Sequence, residues 1–217
     1  MTDLIDPHVS GAPGDPADAP DATHGSSHVT STGLSNEKLA MWVFLGSECL
    51  LFGGLISTFL LYKDRSGSGA LHQTPHQLYD IAFTSISSFV LLMSSLTMVL
   101  AVSAVQRGDL RALRTWLLTT AGLGAIFISG QVFEFTEFVN KGYGLTHSPA
   151  WSAFFTLTGF HGVHVTIGII MLLSTAALSW SGRIDQSKAE AVEIVGLYWH
   201  FVDVVWILIF TIVYLIK

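Results

Sequence analysis

The chain is poor in cysteine and in charge. Cys49 is its one cysteine among 217 residues, which excludes an internal disulfide framework, a CxxC redox pair and a thiolate-ligated cluster. Charged residues make up only 12% of the chain, well below the usual share in soluble domains. The net charge of −6 argues against nucleic-acid binding. An ordinary soluble globule is therefore excluded.

The N-terminal stretch lacks apolar segments as well. Residues 1–36 contain five aspartates, four of the six prolines and no lysine or arginine. Such a stretch cannot bury enough apolar surface to fold. It also has neither the basic start nor the apolar core of a signal peptide. We predict a disordered acidic tail over residues 1–37 and one membrane domain over residues 38–217.

What the chain does have is long apolar runs. Five of them follow the tail, at residues 39–62, 81–105, 116–139, 150–180 and 191–216. Each exceeds the roughly 20 helical residues that cross a bilayer core. The connections are short, which favours antiparallel neighbours. We predict an all-α integral membrane protein, a five-helix up-down transmembrane bundle.

Basic residues in the connections are unevenly divided between the two ends of this bundle. One end would carry six of them: Lys38, Arg107, Arg111, Arg114, Arg183 and Lys188. The other would carry four: Lys63, Arg65, Lys141 and Lys217. Positive residues favour the cytoplasmic side. We therefore predict a cytoplasmic N-terminus and a C-terminus on the opposite side.

Several titratable side chains interrupt the apolar spans. They are Glu48, Glu134, Glu137, His161, His164, His200 and Asp203. A charge at the bilayer centre costs about 2.5–3.5 kcal/mol on insertion scales, so each of these groups needs a physical reason. Glu134 and Glu137 are three residues apart, which predicts one shared helix face near the end of the third span.

Depth in the membrane narrows the possible partners. Glu48 and His200 each lie nine residues past the start of their spans, about 14 Å along a helix. His164 is near the middle of its own span, and Asp203 is three residues beyond His200. We predict that Glu48, His164, His200 and Asp203 share one buried polar layer.

Three interpretations of this layer remain open at the level of sequence. The groups can hold helices together by satisfying one another, or they can support a proton route in a larger assembly. The third is haem ligation by His164 and His200 on facing helices. A small transporter with a midplane acid–histidine site is a more distant alternative, although no proline breaks a span and no internal repeat is visible.

Four segments together resemble subunit III of the haem–copper terminal oxidases. In order they are Gly-Ser-Glu-Cys-Leu-Leu-Phe-Gly-Gly at 46–54, Gly-Gln-Val-Phe-Glu-Phe at 130–135, Thr-Gly-Phe-His-Gly-Val-His-Val-Thr-Ile-Gly at 158–168 and Tyr-Trp-His-Phe-Val-Asp-Val-Val-Trp at 198–206. The resemblance extends over roughly residues 38–217.

This resemblance implies a specific role. The chain would pack directly against subunit I, which holds the redox centres, beside subunit II in the inner membrane of a bacterium. It would bind no haem or copper itself, would bind phospholipid, and would support proton uptake and stable turnover during reduction of oxygen to water. Glu48 matches the family's membrane-buried glutamate. Its other polar positions fall on Glu134, His161, His164, His200 and Asp203.

Two features of the resemblance leave alternatives. The mitochondrial form has seven spans, and the first two, which border its lipid cleft, are missing here. Another chain must complete that cleft, or the cleft is altered. The segments at Glu48 and at Thr158 favour a proton-pumping aa3-type cytochrome c oxidase. The subunit III of a five-span bacterial quinol oxidase is the alternative.

Overall fold

Five long helices build the protein, and no strand occurs in the ranges described. The computed structural model describes residues 35–65, 81–143, 145, 148–184 and 186–215. Its helices are α1 (Asn36–Arg65), α2 (Ile81–Gln106), α3 (Leu110–Asn140), α4 (Pro149–Trp180) and α5 (Ala189–Phe210). A 3₁₀ turn (Gln186–Lys188) precedes α5, and a π-helical turn (Thr211–Leu215) continues it.

The predicted all-α membrane bundle is confirmed. All five helices are long and apolar enough to cross a membrane. Of the predicted tail, residues 1–34 lie outside the described residues, and α1 begins at Asn36, three residues before the predicted span.

Helix α3 begins six residues before the predicted third span. The carboxylate of Asp109 accepts hydrogen bonds from the backbone N–H groups of Arg111 and Ala112, at 3.1 and 3.0 Å, and so caps the helix. Gly108 precedes it with a φ of +75°, a conformation that glycine adopts without strain. The predicted start of the third span at residue 116 is therefore too late, because only residues 107–109 separate α2 from α3.

Helix α5 lies at the centre of the packing. It contacts α1, α2 and α4, while α3 lies between α2 and α4. Helix α1 packs on α4 and α5 rather than beside α2, so the expectation that each helix neighbours the next in sequence fails there. The 15 residues between α1 and α2 can span up to about 50 Å when extended. That length allows the chain to cross to the far side of the bundle.

Polar contacts gather at the end of the bundle where α1 begins. Lys38 Nζ pairs with Glu193 Oε2 at 2.7 Å, and Gln106 Nε2 donates to Glu193 Oε1 at 2.9 Å. Arg114 Nη2 donates to the carbonyl of Ser179 at 2.7 Å. The starts of α1, α3 and α5 thus meet the ends of α2 and α4, as an up-down bundle requires.

The indole of Trp199 is the tightest packing point. A Cβ added at Gly124 on α3 would lie 2.6 Å from Trp199 Cη2, and one at Gly168 on α4 would lie 2.8 Å from Trp199 Cε3. The indole N–H donates to Ser94 Oγ on α2 at 2.9 Å. Lipid provides no hydrophobic drive between helices, so such close packing and interhelical hydrogen bonding hold a membrane bundle together.

Candidate functional site

Glu48 and His164 form a polar pair between α1 and α4. Glu48 Oε2 lies 3.1 Å from His164 Nε2. The two side chains keep 14% and 12% of their surface exposed. Helix α1 packs against the bundle along one line of buried side chains spaced seven residues apart: Leu45, Phe52 and Phe59. The pair therefore lies at the seam between the outermost helix and the rest of the bundle.

The backbone of α4 orients the imidazole ring. His164 Nδ1 lies 2.8 Å from the carbonyl oxygen of Phe160, one turn earlier. A carbonyl oxygen only accepts, so Nδ1 must carry a proton for this bond to form. Nε2 is then left to face Glu48. The hydrogen bond to Phe160 therefore orients the His164 ring from within α4, independently of the contact with α1.

Aromatic groups enclose the pair. The ring of Phe52 meets the ring of His164 at a centroid distance of 5.1 Å and an angle of 64°. On α5, Tyr198 donates its O–H to the backbone carbonyl of His164 at 3.1 Å. The pair therefore lies against the central helix, with low-dielectric walls that strengthen any charge interaction between its two members.

His200 and Asp203 lie on the other side of α5. His200 Nδ1 lies 2.6 Å from Ser95 Oγ on α2. Ser95 also neighbours Asp203, which is 2% exposed, yet neither carboxyl oxygen of Asp203 reaches hydrogen-bond geometry with a described residue. No hydrogen bond or ion pair joins these two residues to Glu48 or His164 in the described part of the chain. Of the four predicted residues, the structure brings Glu48 and His164 together and places His200 and Asp203 apart from them.

The ring of His161 packs against several aromatic side chains. His161 is fully buried, and its ring stacks on the Trp206 indole at 4.9 Å and 24°. Phe127 contacts its edge at 6.0 Å. Both ring nitrogens lack a hydrogen-bond partner among the described residues. Buried polar groups are rarely left in this state.

Glu134 and Glu137 are neighbours on α3 but have different environments. Glu134 is 9% exposed and accepts a hydrogen bond from Thr84 Oγ1 on α2 at 3.0 Å. Glu137 pairs with Lys141 at 2.6 Å, and 47% of its side chain is exposed. The buried stripe of α3 continues from Glu134 to Phe138. Glu137 lies at the margin of this stripe, because side chains three residues apart point in directions that differ by about 60° around the helix axis.

Three side-chain hydrogen bonds between α2 and α5 are not predicted from the sequence. They join Trp199 Nε1 to Ser94 Oγ at 2.9 Å, His200 Nδ1 to Ser95 Oγ at 2.6 Å and Trp206 Nε1 to Ser88 Oγ at 2.9 Å. A usable signal was present: the two tryptophans are seven residues apart, and their partners Ser88 and Ser94 are six residues apart in a charge-free span. Intervals of about two helical turns on two antiparallel helices are typical of a shared contact line.

The arrangement has the chemistry of proton handling more than of metal binding. Among the described residues, no three His, Cys, Asp or Glu side chains converge on one point. His164 and His200 point to different helices, α1 and α2, and both nitrogens of His164 are already engaged. A pair such as Glu48 and His164 can hold, release and accept a proton.

Comparison with known proteins identifies the family. The model of the family described as cytochrome c oxidase subunit III matches residues 19–217. The chain belongs to the subunit III family. It is 40% identical over 199 residues to quinol oxidase subunit 3 of Bacillus subtilis, covering 89% of this chain and 96% of the relative.

Other similar members of the subunit III family are named as subunits of cytochrome c oxidases. The identity to cytochrome c oxidase subunit 3 of Bacillus sp. (strain PS3) is 37% over 180 residues, which covers 83% of this chain and 86% of the relative. The identity to cytochrome c oxidase subunit 3 of Thermostichus vulcanus is 36% over 179 residues, or 82% of this chain and 86% of the relative. The chain is thus subunit III of a haem–copper oxidase, a multi-pass membrane protein with partner subunits such as subunit I.

Proposed function

We propose that this subunit supports proton uptake and stable turnover by subunit I, that it holds neither haem nor copper itself, and that the pair of Glu48 and His164 is where it acts. The observation that carries the proposal is the 3.1 Å contact between these two side chains. The pair lies at the α1–α4 seam with 14% and 12% of its side-chain surfaces exposed, and it is enclosed enough for its charge state to matter.

The proton count of the pair follows from its hydrogen bonds. Because Nδ1 of His164 donates to Phe160, the contact between Nε2 and Glu48 needs one further proton, on either the nitrogen or the oxygen. In both cases the pair is neutral overall, which low dielectric surroundings favour. The proton can shift between the two atoms without a change in net charge. The pair is suited to hold one proton and to pass it on.

Replacing Glu48 by glutamine tests this role. Glu48→Gln keeps the side-chain shape, and its amide N–H can still donate to His164 Nε2, but the position no longer titrates. We expect the complex to assemble with intact haem spectra and normal early oxygen reduction. It should then pump fewer protons per electron or inactivate sooner, which oxygen consumption and proton ejection from vesicles would measure.

The matched control is Glu137→Gln, the same chemical change at an exposed carboxylate of α3. It should leave pumping and durability unchanged. A drop in oxygen reduction of about a hundredfold from the first turnover in Glu48→Gln, the size expected for loss of a direct proton-transfer catalyst, would contradict a supporting role. Unchanged proton pumping and an unchanged active lifetime of the complex in Glu48→Gln would mean that the pair is only a structural contact.

For the electron donor we propose cytochrome c, with quinol as a second candidate. The segments at Glu48 and Thr158 favour cytochrome c. Relatives named as quinol oxidase subunits support quinol, at 40% identity in Bacillus subtilis and 38% in Staphylococcus saprophyticus. The purified complex should oxidise reduced cytochrome c and contain a copper-binding soluble domain on subunit II. Activity with quinol alone would establish the second candidate.

A further inference from the structure

Tyr198 on α5 contacts both helices that carry the polar pair. Its hydroxyl donates to the backbone carbonyl of His164 on α4 at 3.1 Å. Its ring stacks on that of Phe44 on α1, at a centroid distance of 6.4 Å and an angle of 23°. Phe44 lies four residues before Glu48, so both side chains project from the same side of α1. Tyr198 therefore contacts the helix of each member of the pair within about one turn of that member.

Glycine at position 168 allows the hydroxyl to reach the backbone of α4. A Cβ added there would lie 3.3 Å from Tyr198 Cε1, a close contact. In a regular α-helix the carbonyl of His164 accepts the N–H of the residue four positions later, which here is Gly168. The second lone pair of that carbonyl is still able to accept the phenol O–H. The bond to Tyr198 therefore adds to the hydrogen bonds of α4, and it ties α5 to α4 at the level of His164.

Four aromatic rings join α1 to α5 on either side of Glu48. Phe44 and Phe52 lie one turn before it and one turn after it. Phe44 stacks on Tyr198, and the ring of Phe52 meets that of Phe201 at 6.5 Å and 60°. Both distances are in the range typical of aromatic pairs. Because only 11% of the apolar stretch of α1 is buried, these ring contacts largely determine where the Glu48 carboxyl group lies relative to α5.

Among these four rings, only that of Tyr198 has a polar group. Tyr198 is buried, and a buried hydroxyl is costly to leave without a partner. The carbonyl of His164 satisfies it. Glu48 is also close enough to Tyr198 for the two groups to interact electrostatically. A displacement of α1 or α4 relative to α5 would therefore disturb a contact of Tyr198 together with the contact between Glu48 and His164.

We propose that Tyr198 is a positioning residue for the polar pair: its hydroxyl holds His164 in place along α5, and its ring holds α1 so that Glu48 reaches His164. The distance from Glu48 Oε2 to His164 Nε2 is 3.1 Å, close to the longest value usual for an N–H···O bond, about 3.2 Å. A small displacement of either helix would therefore break this contact. The inference rests on the proposed function, because it is through the pair that Tyr198 would affect proton uptake and turnover.

Replacing Tyr198 by phenylalanine tests the proposal, because the change removes the hydroxyl and keeps the ring on Phe44. Infrared difference spectra of the purified oxidase complex would follow the carboxyl bands of Glu48, which are identified by their loss in Glu48→Gln. We expect these bands to shift in frequency in Tyr198→Phe. The complex should assemble with intact haem spectra. It should inactivate during turnover up to about fivefold faster than the parent, the factor equivalent to one neutral hydrogen bond.

Ser88→Ala is the matched control for stability. It also removes a buried hydroxyl that joins α5 to a neighbouring helix, here through the indole N–H of Trp206. It should lower the thermal stability of the complex and leave the Glu48 bands unchanged. A double variant adds a second test. Tyr198→Phe combined with Glu48→Gln should inactivate no faster than Glu48→Gln alone, because substitutions that act through one contact are not additive.

Three results would each overturn the positioning role. They are unshifted Glu48 bands in Tyr198→Phe, the same band shift in Ser88→Ala, and additive rates of inactivation in the double variant. The infrared bands also separate this proposal from the proposed function. If Glu48→Gln has normal proton pumping and lifetime while Tyr198→Phe still shifts the bands, the proton role of the pair fails and its positioning by Tyr198 stands.

Discussion

Single buried polar residues in this subunit differ sharply in how they are satisfied. Glu48 and His164 bond to each other, and His200 bonds to Ser95. His161 and Asp203 are more deeply buried, and they have no hydrogen-bond partner among the described residues. Substitutions at the two kinds of position should therefore have different consequences for the free energy of unfolding.

Two replacements of His161 should change the free energy of unfolding by different amounts. His161→Phe keeps a flat ring against Trp206 and removes two unpartnered nitrogens, so we expect it to stay within about 1.5 kcal/mol of the parent protein. His161→Ala removes the ring and leaves a cavity, at a cost of roughly 2–5 kcal/mol. Thermal unfolding of the purified complex would measure both changes. Equal destabilisation by Phe and Ala would mean that the ring nitrogens have partners, such as buried water.

The helices differ in how firmly they are held. Only 11% of the apolar stretch of α1 is buried, against 44% of that of α5. Helix α1 is joined to the others by its heptad line of apolar residues, by the Glu48–His164 contact and by polar contacts at its start, where Lys38 meets Glu193 and Ser35 meets Glu190. Helix α5 is held through the indole of Trp199, which glycines on two neighbouring helices accommodate.

Adding a methyl group at those glycines should destabilise the bundle. In Gly124→Ala or Gly168→Ala the new Cβ would lie under 3 Å from the Trp199 indole, and relief of such overpacking costs about 1–3 kcal/mol. Gly122→Ala is the matched control, since nothing lies within 4 Å of its Cβ position, and better helix propensity should make it neutral or up to about 1 kcal/mol more stable. Unfolding in detergent would rank the three. Similar effects at all three sites would argue against a special role for the Trp199 contact.

For the whole molecule, the distribution of basic residues at the two ends predicts the orientation in the membrane. The six basic residues assigned to one end by the sequence are on the side where α1, α3 and α5 begin. The side of the membrane on which this end lies remains a prediction, and it follows from six basic residues against four.

A tag at each terminus would test the orientation. In sealed right-side-out vesicles we expect protease to remove a tag after Lys217 and to spare a tag before Met1. The N-terminal tag should become accessible only when the vesicles are opened, which serves as the control. Digestion of the N-terminal tag in sealed vesicles would reverse the assignment.

Much of the fold follows from the sequence because the bilayer restricts the choice. Backbone groups in lipid must be satisfied within helices, so runs such as residues 81–105 and 150–180 could only become helices of nearly those lengths. Five such helices that cross the membrane in alternating directions form an up-down bundle. The start of α3 was harder to predict, because the cap at Asp109 extends that helix through Arg111 and Arg114, which hydropathy alone assigns to a connection.

By itself the sequence determined the spans, the family and the depth of each polar group, since depth depends only on position along a helix that rises by about 1.5 Å per residue. Only the tertiary structure decided which groups at one depth meet. The angular position of a helix around the bundle depends on contacts between distant residues, such as Trp199 with Gly124 and Gly168. In the folded bundle α1 lies against α4 and His200 faces α2, so Glu48 meets His164 while Asp203 lies apart.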